Sequence, residues 1–145
     1  MPVFKLVIVT PEKPVLDCEA EYVSLPAVDG QLGVLARHAP YAVQLVEGLL
    51  RYRKAGGEEG EFAVMGGFAE ICNNEVSVFA EAAELATEIS EEKQRQELQR
   101  SKDILAAKSK DVDIETVQAQ LRRASVRLHL KERAQRRHTG GGRHA

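Results

Sequence analysis

The feature that most constrains the fold is a change in sequence character near Glu84. Before this point, apolar runs rich in β-branched residues alternate with turn residues at short intervals, a pattern typical of an all-β domain. From Glu84 to Thr139 neither Gly nor Pro occurs, and Glu, Lys, Gln, Arg and Ala predominate, all of which favour helices. The sequence therefore predicts a strand-rich domain, residues 1–86, followed by a helical region.

The strand-rich domain is predicted from short apolar runs and the turns between them. Phe4–Val9 is a β-branched run, and residues 50–53 alternate with the period of two of a strand. Residues 56–60 and the pair Asn73 and Asn74 are turn sequences. Turn signals at this density predict about eight to ten strands in a β-sandwich or a barrel.

The helical region, residues 87–138, is predicted to form two antiparallel helices joined by a short turn. Ser90 precedes two glutamates, which is typical of an N-cap followed by an acidic first turn, and this helix is expected to reach about Lys108. Asp113 is expected to cap a second helix that ends near Arg137. Apolar residues in this second helix recur at spacings of three and four, which predicts one buried face: Ile114, Val117, Leu121, Ala124 and Leu128.

This helical hairpin has little apolar surface to bury. Each fully buried large apolar side chain contributes about 1.5–3 kcal/mol, and the entropy lost on ordering the helices offsets most of that gain. We therefore expect a mobile arm that docks reversibly and can exchange its packing partner. The tail, residues 139–145, is expected to be disordered, and His138 and His144 are not expected to bind a metal.

The two regions carry net charges of opposite sign. Residues 1–87 contain six Lys and Arg against thirteen Asp and Glu, a net charge of −7. Residues 88–145 contain fourteen against nine, a net charge of +5, and the two together give the −2 of the whole chain. Opposite signs predict two modules with different partners.

The basic excess is concentrated after Leu121. In the sequence from residue 122 to the end, Glu132 is the only acidic residue. Such an imbalance predicts an acidic partner, which could be nucleic acid, an anionic ligand or an acidic protein surface. A nucleic-acid-binding module is the alternative function, because basic helices can follow phosphates. The strand domain is acidic and lacks the basic and aromatic interleaving of a nucleic-acid groove, so nucleic acid is not the expected partner. The basic residues are Arg122, Arg123, Arg127, Lys131, Arg133, Arg136, Arg137 and Arg143.

No catalytic site is predicted. Residues 29–40 contain several turn residues and His38, but no Ser, Cys or carboxylate stands at a suggestive spacing from this His. We therefore expect a structural and binding loop. Gly66 and Gly67 lack the downstream Lys of a phosphate-binding loop, and they predict close packing between strands.

No metal site or membrane segment is predicted either. Cys18 and Cys72 are too few and too far apart for a disulfide framework or a zinc site, and we expect two small buried side chains. No apolar run is long enough to cross a bilayer, and the N-terminus does not resemble a leader. A soluble, unexported protein is expected.

Several stretches, taken in order, resemble the epsilon subunit of the F-type ATP synthase. Each is weak alone, but together they cover nearly the whole chain at compatible spacing, and the ordered combination is specific. Two departures occur: Ala36 and Arg37 stand where the family usually has Pro-Gly, and Met65 stands where it usually has Ser. The matching stretches are residues 24–26, 29–35, 38–40, Gly48, 62–68, 76–80, 111–113 and 123–128.

The resemblance selects a flattened two-sheet β-sandwich for residues 1–86, followed by an antiparallel two-helix hairpin. It implies that the sandwich binds the gamma subunit of the central stalk and the ring of membrane c subunits. No chemistry would occur on this subunit itself. By position, Gln31 and His38 are the candidates for the ring-facing surface, and Gln31 stands where many relatives carry Glu.

The resemblance also implies a regulatory role for the hairpin. The arm would either fold against the sandwich or extend beside gamma towards the catalytic beta and the alpha subunits. Extended, its basic second helix would meet an acidic segment of beta and restrain ATP hydrolysis. Through the complex, the protein would be peripheral to the cytoplasmic face of a bacterial inner membrane, or to its thylakoid equivalent. The candidate inhibitory residues are Arg122, Arg123, Arg127 and Lys131.

Some bacterial relatives bind ATP on the folded hairpin through Ile-Asp-x-x-Arg-Ala at the start of the first helix. This chain has Ile89, Ser90 and Lys93 at the Ile, Asp and Arg positions. Lys supplies charge without the planar fork of Arg, which matters for a geometric site. No cofactor is therefore expected, with weak regulatory ATP binding left open. Its candidate residues are Ile89, Lys93, Arg100, Arg123 and Arg127.

Overall fold

The computed structural model describes the backbone of residues 1–141 and the side chains of residues 1–137. The chain divides into two compact units, residues 1–84 and a second unit that begins at Leu85, close to the predicted boundary after residue 86. The described elements are β1 Phe4–Val9, β2 Pro14–Ala27, β3 Gly30–Leu35, β4 Tyr41–Lys54, β5 Glu59–Cys72, β6 Glu75–Ala80, β7 Ala83–Glu84, a 3-10 helix Ala86–Glu88, α1 Glu91–Ala107 and α2 Ile114–Gly141.

The described residues contain seven strands, not the eight to ten predicted. Three strands, β2, β4 and β5, are fourteen residues long, because residues that resemble turns lie inside them. Gly48 is one example: a Cβ there would lie 2.5 Å from Cβ of Pro26, so only Gly allows β4 to approach β2 this closely. The predicted turns at residues 56–60 and at Asn73 and Asn74 do connect strands.

The three long strands take part in both layers of the first unit. One layer, named the β1 layer, contains β1, β6 and residues 14–20, 41–45 and 67–72. The other, named the β3 layer, contains β3, β7 and residues 22–27, 47–53 and 59–65. Pairing between β2 and β4 is irregular near Glu21, and such irregularities let a strand bend. The predicted mainly-β sandwich is confirmed.

The core of the first unit draws on the inward faces of both layers. Its largest fully buried members include Leu6, Ile8, Val23, Leu25, Leu50 and Ile71. Each contributes about 1.5–3 kcal/mol on burial. Gly67, with φ of +110°, lies against β6, where an added Cβ would meet the carbonyl oxygen of Phe79. The predicted close packing of strands is therefore confirmed at Gly67, whereas a Cβ at Gly66 would make only ordinary contact with the side chain of Glu81.

Both helices of the second unit begin at the predicted caps. Ser90 Oγ accepts a hydrogen bond from the backbone N–H of Lys93 at 3.3 Å. Asp113 Oδ1 accepts from the backbone N–H groups of Glu115 and Thr116 at 3.2 and 3.4 Å, and its Oδ2 accepts from the Thr116 hydroxyl at 2.7 Å. These contacts satisfy N–H groups that the first turn of a helix leaves without partners.

The second helix differs from the prediction in its C-terminal end and in its buried residues. It continues to Gly141 and so includes the first three residues of the predicted tail, while residues 142–145 and the side chains of His138 and His144 lie outside the described residues. Ile114 is 54 % exposed rather than buried, because it is the first residue of α2, beyond the end of α1. Leu130, which the predicted stripe omitted, is buried instead.

The contact between the two helices is partly polar. Arg127 Nη1 donates to Gln94 Oε1 at 3.3 Å, and Gln135 Nε2 donates to Glu91 Oε2 at 3.0 Å. The start of α1 thus meets the later part of α2, so the helices are antiparallel, as predicted. On α1 the buried residues are Gln94 and Ser101 rather than large apolar side chains.

Candidate interaction surfaces

The outer face of the β1 layer carries an exposed aromatic pair. Phe68 of β5 and Phe79 of β6 are directly opposite in register, and their rings stack with centroids 4.9 Å apart and an interplanar angle of 27°. Phe68 is 53 % exposed and Phe79 is 38 % exposed. Val9 pairs with Phe79, and Gln44 pairs with Phe68. These four residues, named the phenylalanine row, form a line across four strands.

A groove of about 430 Å³ lies beside this row. The turn after β1 forms one wall, where the hydroxyl of Thr10 donates to the carbonyl of Lys13 at 3.1 Å. Exposed apolar surface of this kind is characteristic of protein-binding sites. This surface was not predicted from the sequence, although the inward positions of Ala69 and Val78 place both Phe side chains outward. The lining residues are Val9, Thr10, Pro11, Gly67, Phe68, Phe79, Ala80 and Glu81.

The predicted loop at residues 29–40 is largely a strand. Residues 30–35 form β3, which pairs with residues 22–27 of β2, and only residues 36–40 are irregular. Gly33, interpreted as a turn residue, lies within β3 opposite Ser24. The prediction of a loop was wrong because Gly in an edge strand gives the same local signal as Gly in a turn.

Gln31 and His38 lie at opposite ends of β3. Gln31 is exposed, and its Oε1 accepts a hydrogen bond from Ser24 Oγ at 2.7 Å. His38 follows the strand, and its Nδ1 is 2.7 Å from the carbonyl oxygen of Ala39. At about 3.3 Å per residue, the four steps from Gln31 to Leu35 already span about 13 Å. A ring-facing surface that includes both residues must therefore extend along the whole strand.

The turn before His38 is held by a side chain from another part of the domain. Arg37 has φ of +64°, a left-handed conformation that a side chain disfavours. Its backbone N–H donates to Asn74 Oδ1 at 2.8 Å, and Asn74 Nδ2 donates to the carbonyl of Val3 at 2.9 Å. Arg37 thus adopts a backbone conformation that Gly takes more readily than a residue with a side chain.

The candidate inhibitory residues do not form a single face of α2. Arg123, Arg127 and Lys131 follow one another at intervals of four, so they form one stripe, and each is half-buried. Arg122 is exposed and lies about 100° around the helix axis from Arg123. In this conformation, Arg127 contacts Gln94 of α1.

The candidate ATP-binding residues are only partly brought together. Ile89 is buried, whereas Lys93 and Arg100 are exposed on α1, with Arg100 3.9 Å from Glu97. Arg127 meets α1 at Gln94, which lies on a neighbouring face of the helix from Lys93.

Cys18 and Cys72 are free thiols and are half-buried rather than fully buried as predicted. Burial raises the pKa of Cys18, with nearby Lys54 opposing the shift, and a raised pKa makes a thiol less reactive. Among the described residues there is no group of three or more His, Cys, Asp or Glu side chains placed to hold a metal ion. No helix in the described part of the chain is long and apolar enough to span a membrane.

Comparison with known proteins identifies the family to which this chain belongs. Residues 3–86 match the family model of the ATP synthase delta/epsilon chain β-sandwich domain, which defines the class of the first unit. A sodium-ion-specific ATP synthase epsilon chain of Propionigenium modestum is 37 % identical over 132 residues, covering 91 % of this chain and 96 % of the relative. The epsilon chain of Gloeobacter violaceus is 43 % identical over 124 residues, covering 83 % of this chain and 91 % of that one. This chain belongs to the ATP synthase epsilon-chain family.

A solved structure supports the same fold. A chain in the OSCP/F1/c-ring structure of the Euglena gracilis mitochondrial ATP synthase, in rotational state 1, superposes with a TM-score of 0.67 and 24 % identity. The match covers 91 % of this chain and 79 % of that chain. The predicted family is confirmed, and family membership favours a role in an ATP synthase over the nucleic-acid alternative.

Proposed function

We propose that this chain is a central-stalk rotor subunit of an F-type ATP synthase, which links the gamma subunit to the c-ring and couples proton transport to ATP synthesis. The observation that carries the proposal is the phenylalanine row. Phe68 and Phe79 form an exposed, stacked aromatic pair. The charged residues of the same domain are mostly acidic. Aromatic side chains of this kind act as anchors in protein–protein interfaces.

Gamma is the partner proposed for the phenylalanine row. The neighbouring groove of about 430 Å³ is large enough to receive apolar side chains of a partner. Stacking holds the two rings in one arrangement before binding, so little side-chain entropy would be lost when the interface forms. The c-ring is the partner proposed for β3 and the turn that follows it, with Gln31 and His38 as contact residues.

The helical hairpin is proposed to be the regulatory arm. Its basic stripe of Arg123, Arg127 and Lys131, together with Arg122, would face an acidic segment of a catalytic beta subunit when the arm extends. Arg127 would have to leave Gln94, and a hydrogen bond made by a charged group contributes about 1.5–3 kcal/mol. The new contacts with beta would have to offset this loss. The chain itself would be non-catalytic, and it would be peripheral to the membrane through the complex.

The proposal is tested by isothermal titration calorimetry. The full-length chain is titrated into a purified complex of alpha, beta and gamma subunits, and the heat of binding is measured. We expect submicromolar binding that requires gamma, so a complex of alpha and beta alone is the matched control. Parallel titrations use duplex DNA and single-stranded RNA at two salt concentrations. Tight binding to nucleic acid, with no heat from the gamma-containing complex, would overturn the proposal in favour of the alternative.

A further inference from the structure

We propose that Asn74 is a positioning residue for the turn that presents His38. Both ends of its side-chain amide are used: Oδ1 accepts from the Arg37 backbone, and Nδ2 donates to the Val3 carbonyl. Its own carbonyl accepts from the backbone N–H of Lys5 at 3.1 Å. One side chain therefore fixes the end of β3 to the N-terminal chain, across a sequence separation of 37 residues on one side and 71 on the other.

The orientation of this amide is determined by its partners. An N–H group at Arg37 needs an acceptor, and a carbonyl at Val3 needs a donor. Rotating the amide by half a turn would place donor against donor and acceptor against acceptor. The hydrogen bonds therefore hold Asn74 in one rotamer, and Asn74 in turn holds the backbone of Arg37 at a φ of +64°.

Arg37 needs this support because it is not Gly. A side chain disfavours the left-handed conformation, and the loss of the Asn74 contact would let residues 36–40 relax to other conformations. The direction of the chain from His38 to Pro40 depends on the φ angle of Arg37. Asn74 would thus set the position of a proposed c-ring contact without touching the ring. The effect on the c-ring contact rests on the proposed function, whereas the hydrogen bond that supports the Arg37 backbone does not.

A simpler role for Asn74 is to form its own turn. Asn73 and Asn74 connect β5 to β6 with φ of +52° and +58°, and Asn tolerates this conformation well. Variants separate the two roles. Asn74→Gly keeps the turn and removes both side-chain bonds, whereas Asn74→Asp keeps an acceptor for Arg37 and removes the donor to Val3. Asn73→Gly is the matched control, because it alters the same turn and leaves both bonds intact.

The first test measures amide hydrogen exchange of Arg37 by NMR in the full-length chain. We expect exchange at Arg37 to be faster by roughly tenfold in Asn74→Gly, the order expected for the loss of one hydrogen bond, and close to wild type in Asn74→Asp and Asn73→Gly. The amides of the buried strand residues Val76 and Val78 should be unchanged in all three. Equal exchange at Arg37 in Asn74→Gly and wild type would overturn the proposal.

The second test measures affinity for purified c-ring in detergent, with and without Arg37→Gly. Gly adopts positive φ without support, so Asn74→Gly should weaken binding about tenfold in the wild-type background and less than threefold in the Arg37→Gly background. An equal loss in both backgrounds would contradict positioning through Arg37. If wild type does not bind the ring, the ring contact fails as a proposed function, and the exchange experiment still decides whether Asn74 holds Arg37.

Discussion

Phe68 and Phe79 face each other across two neighbouring strands, with ring centroids 4.9 Å apart, and both rings remain in contact with solvent. A stacked pair of this kind stabilises the sheet by about 0.5–1.5 kcal/mol beyond its buried area. Exposure of this aromatic surface to water is unfavourable in free energy. A bound partner that covered the two rings would remove this unfavourable contribution. The pair therefore connects the packing of the sandwich to its proposed binding role.

Replacing both rings, as Phe68→Ala with Phe79→Ala, should weaken binding to the gamma-containing complex by about 2 kcal/mol or more, because exposed aromatic anchors dominate such interfaces. Titration calorimetry with the full-length chain measures the change. Val28→Ala is the control, since Val28 is also exposed but lies in the turn between β2 and β3. Equal binding by the double variant and wild type would exclude the phenylalanine row as the gamma surface.

Features fixed by neighbours in sequence could be predicted well. Ser90 and Asp113 were identified as caps because a cap depends on three or four consecutive residues, and the turn at Asn73 and Asn74 depends on two. The strand count was wrong because residues such as Gly48, which lies close to Pro26, stand inside long strands rather than in turns. That contact joins residues distant in sequence, and no local pattern reveals it.

The candidate surfaces show the same limit. Strand alternation places Phe68 and Phe79 outward, but their pairing depends on the register between β5 and β6, which no local pattern specifies. Gln31 and His38 were assigned to one surface by their position in a predicted loop, yet most of β3 lies between them. The basic residues of α2 form one segment of the sequence, and which of them share a stripe depends on the helix phase.

The cap at Asp113 should make the start of α2 sensitive to acid. Hydrogen bonds from the Thr116 hydroxyl, and then from the backbone of Thr116 and Glu115, lower the pKa of Asp113 despite a small opposing effect of desolvation. A lowered pKa contributes stability above the ordinary pKa of Asp, and this stability is lost as the pH falls through the folded value. The Thr116 amide signal in NMR should therefore titrate with Asp113 in wild type. An identical titration in Asp113→Asn would show that another group is responsible.

ATP should bind only weakly to the isolated chain. Ser90 and Lys93 stand at the Asp and Arg positions of the ATP-binding motif that the resemblance implies for some relatives, and Arg127 is in contact with Gln94. Restoring both residues, as Ser90→Asp with Lys93→Arg, should strengthen binding, and Asp at residue 90 would preserve the helix cap. Titration calorimetry measures both proteins. Micromolar binding by wild type, about −8 kcal/mol, would show that the substitutions do not weaken the site.

The basic residues of α2 should restrain ATP hydrolysis only as a group. Exposed charge pairs contribute about 0–1 kcal/mol each, so a single change such as Arg122→Ala should have little effect. Replacing Arg122, Arg123 and Arg127 together should increase the rate of ATP hydrolysis by the reconstituted complex. Raising the salt concentration should have the same effect, because the screening length of about 8 Å at physiological ionic strength becomes shorter. Activation by deletion of residues 88–145, with none from the triple change, would indicate steric blocking instead.

The most direct measurement of the rotor role is ion pumping by vesicles that carry an ATP synthase depleted of its own epsilon subunit. ATP-driven pumping is recorded before and after adding the full-length chain, alongside hydrolysis in the same vesicles. We predict that the wild-type chain restores pumping per ATP hydrolysed and that the Phe68→Ala, Phe79→Ala double variant, at the same concentration, does not. Pumping that stays at the depleted level with saturating wild-type chain would contradict the proposal that this protein links gamma to the c-ring.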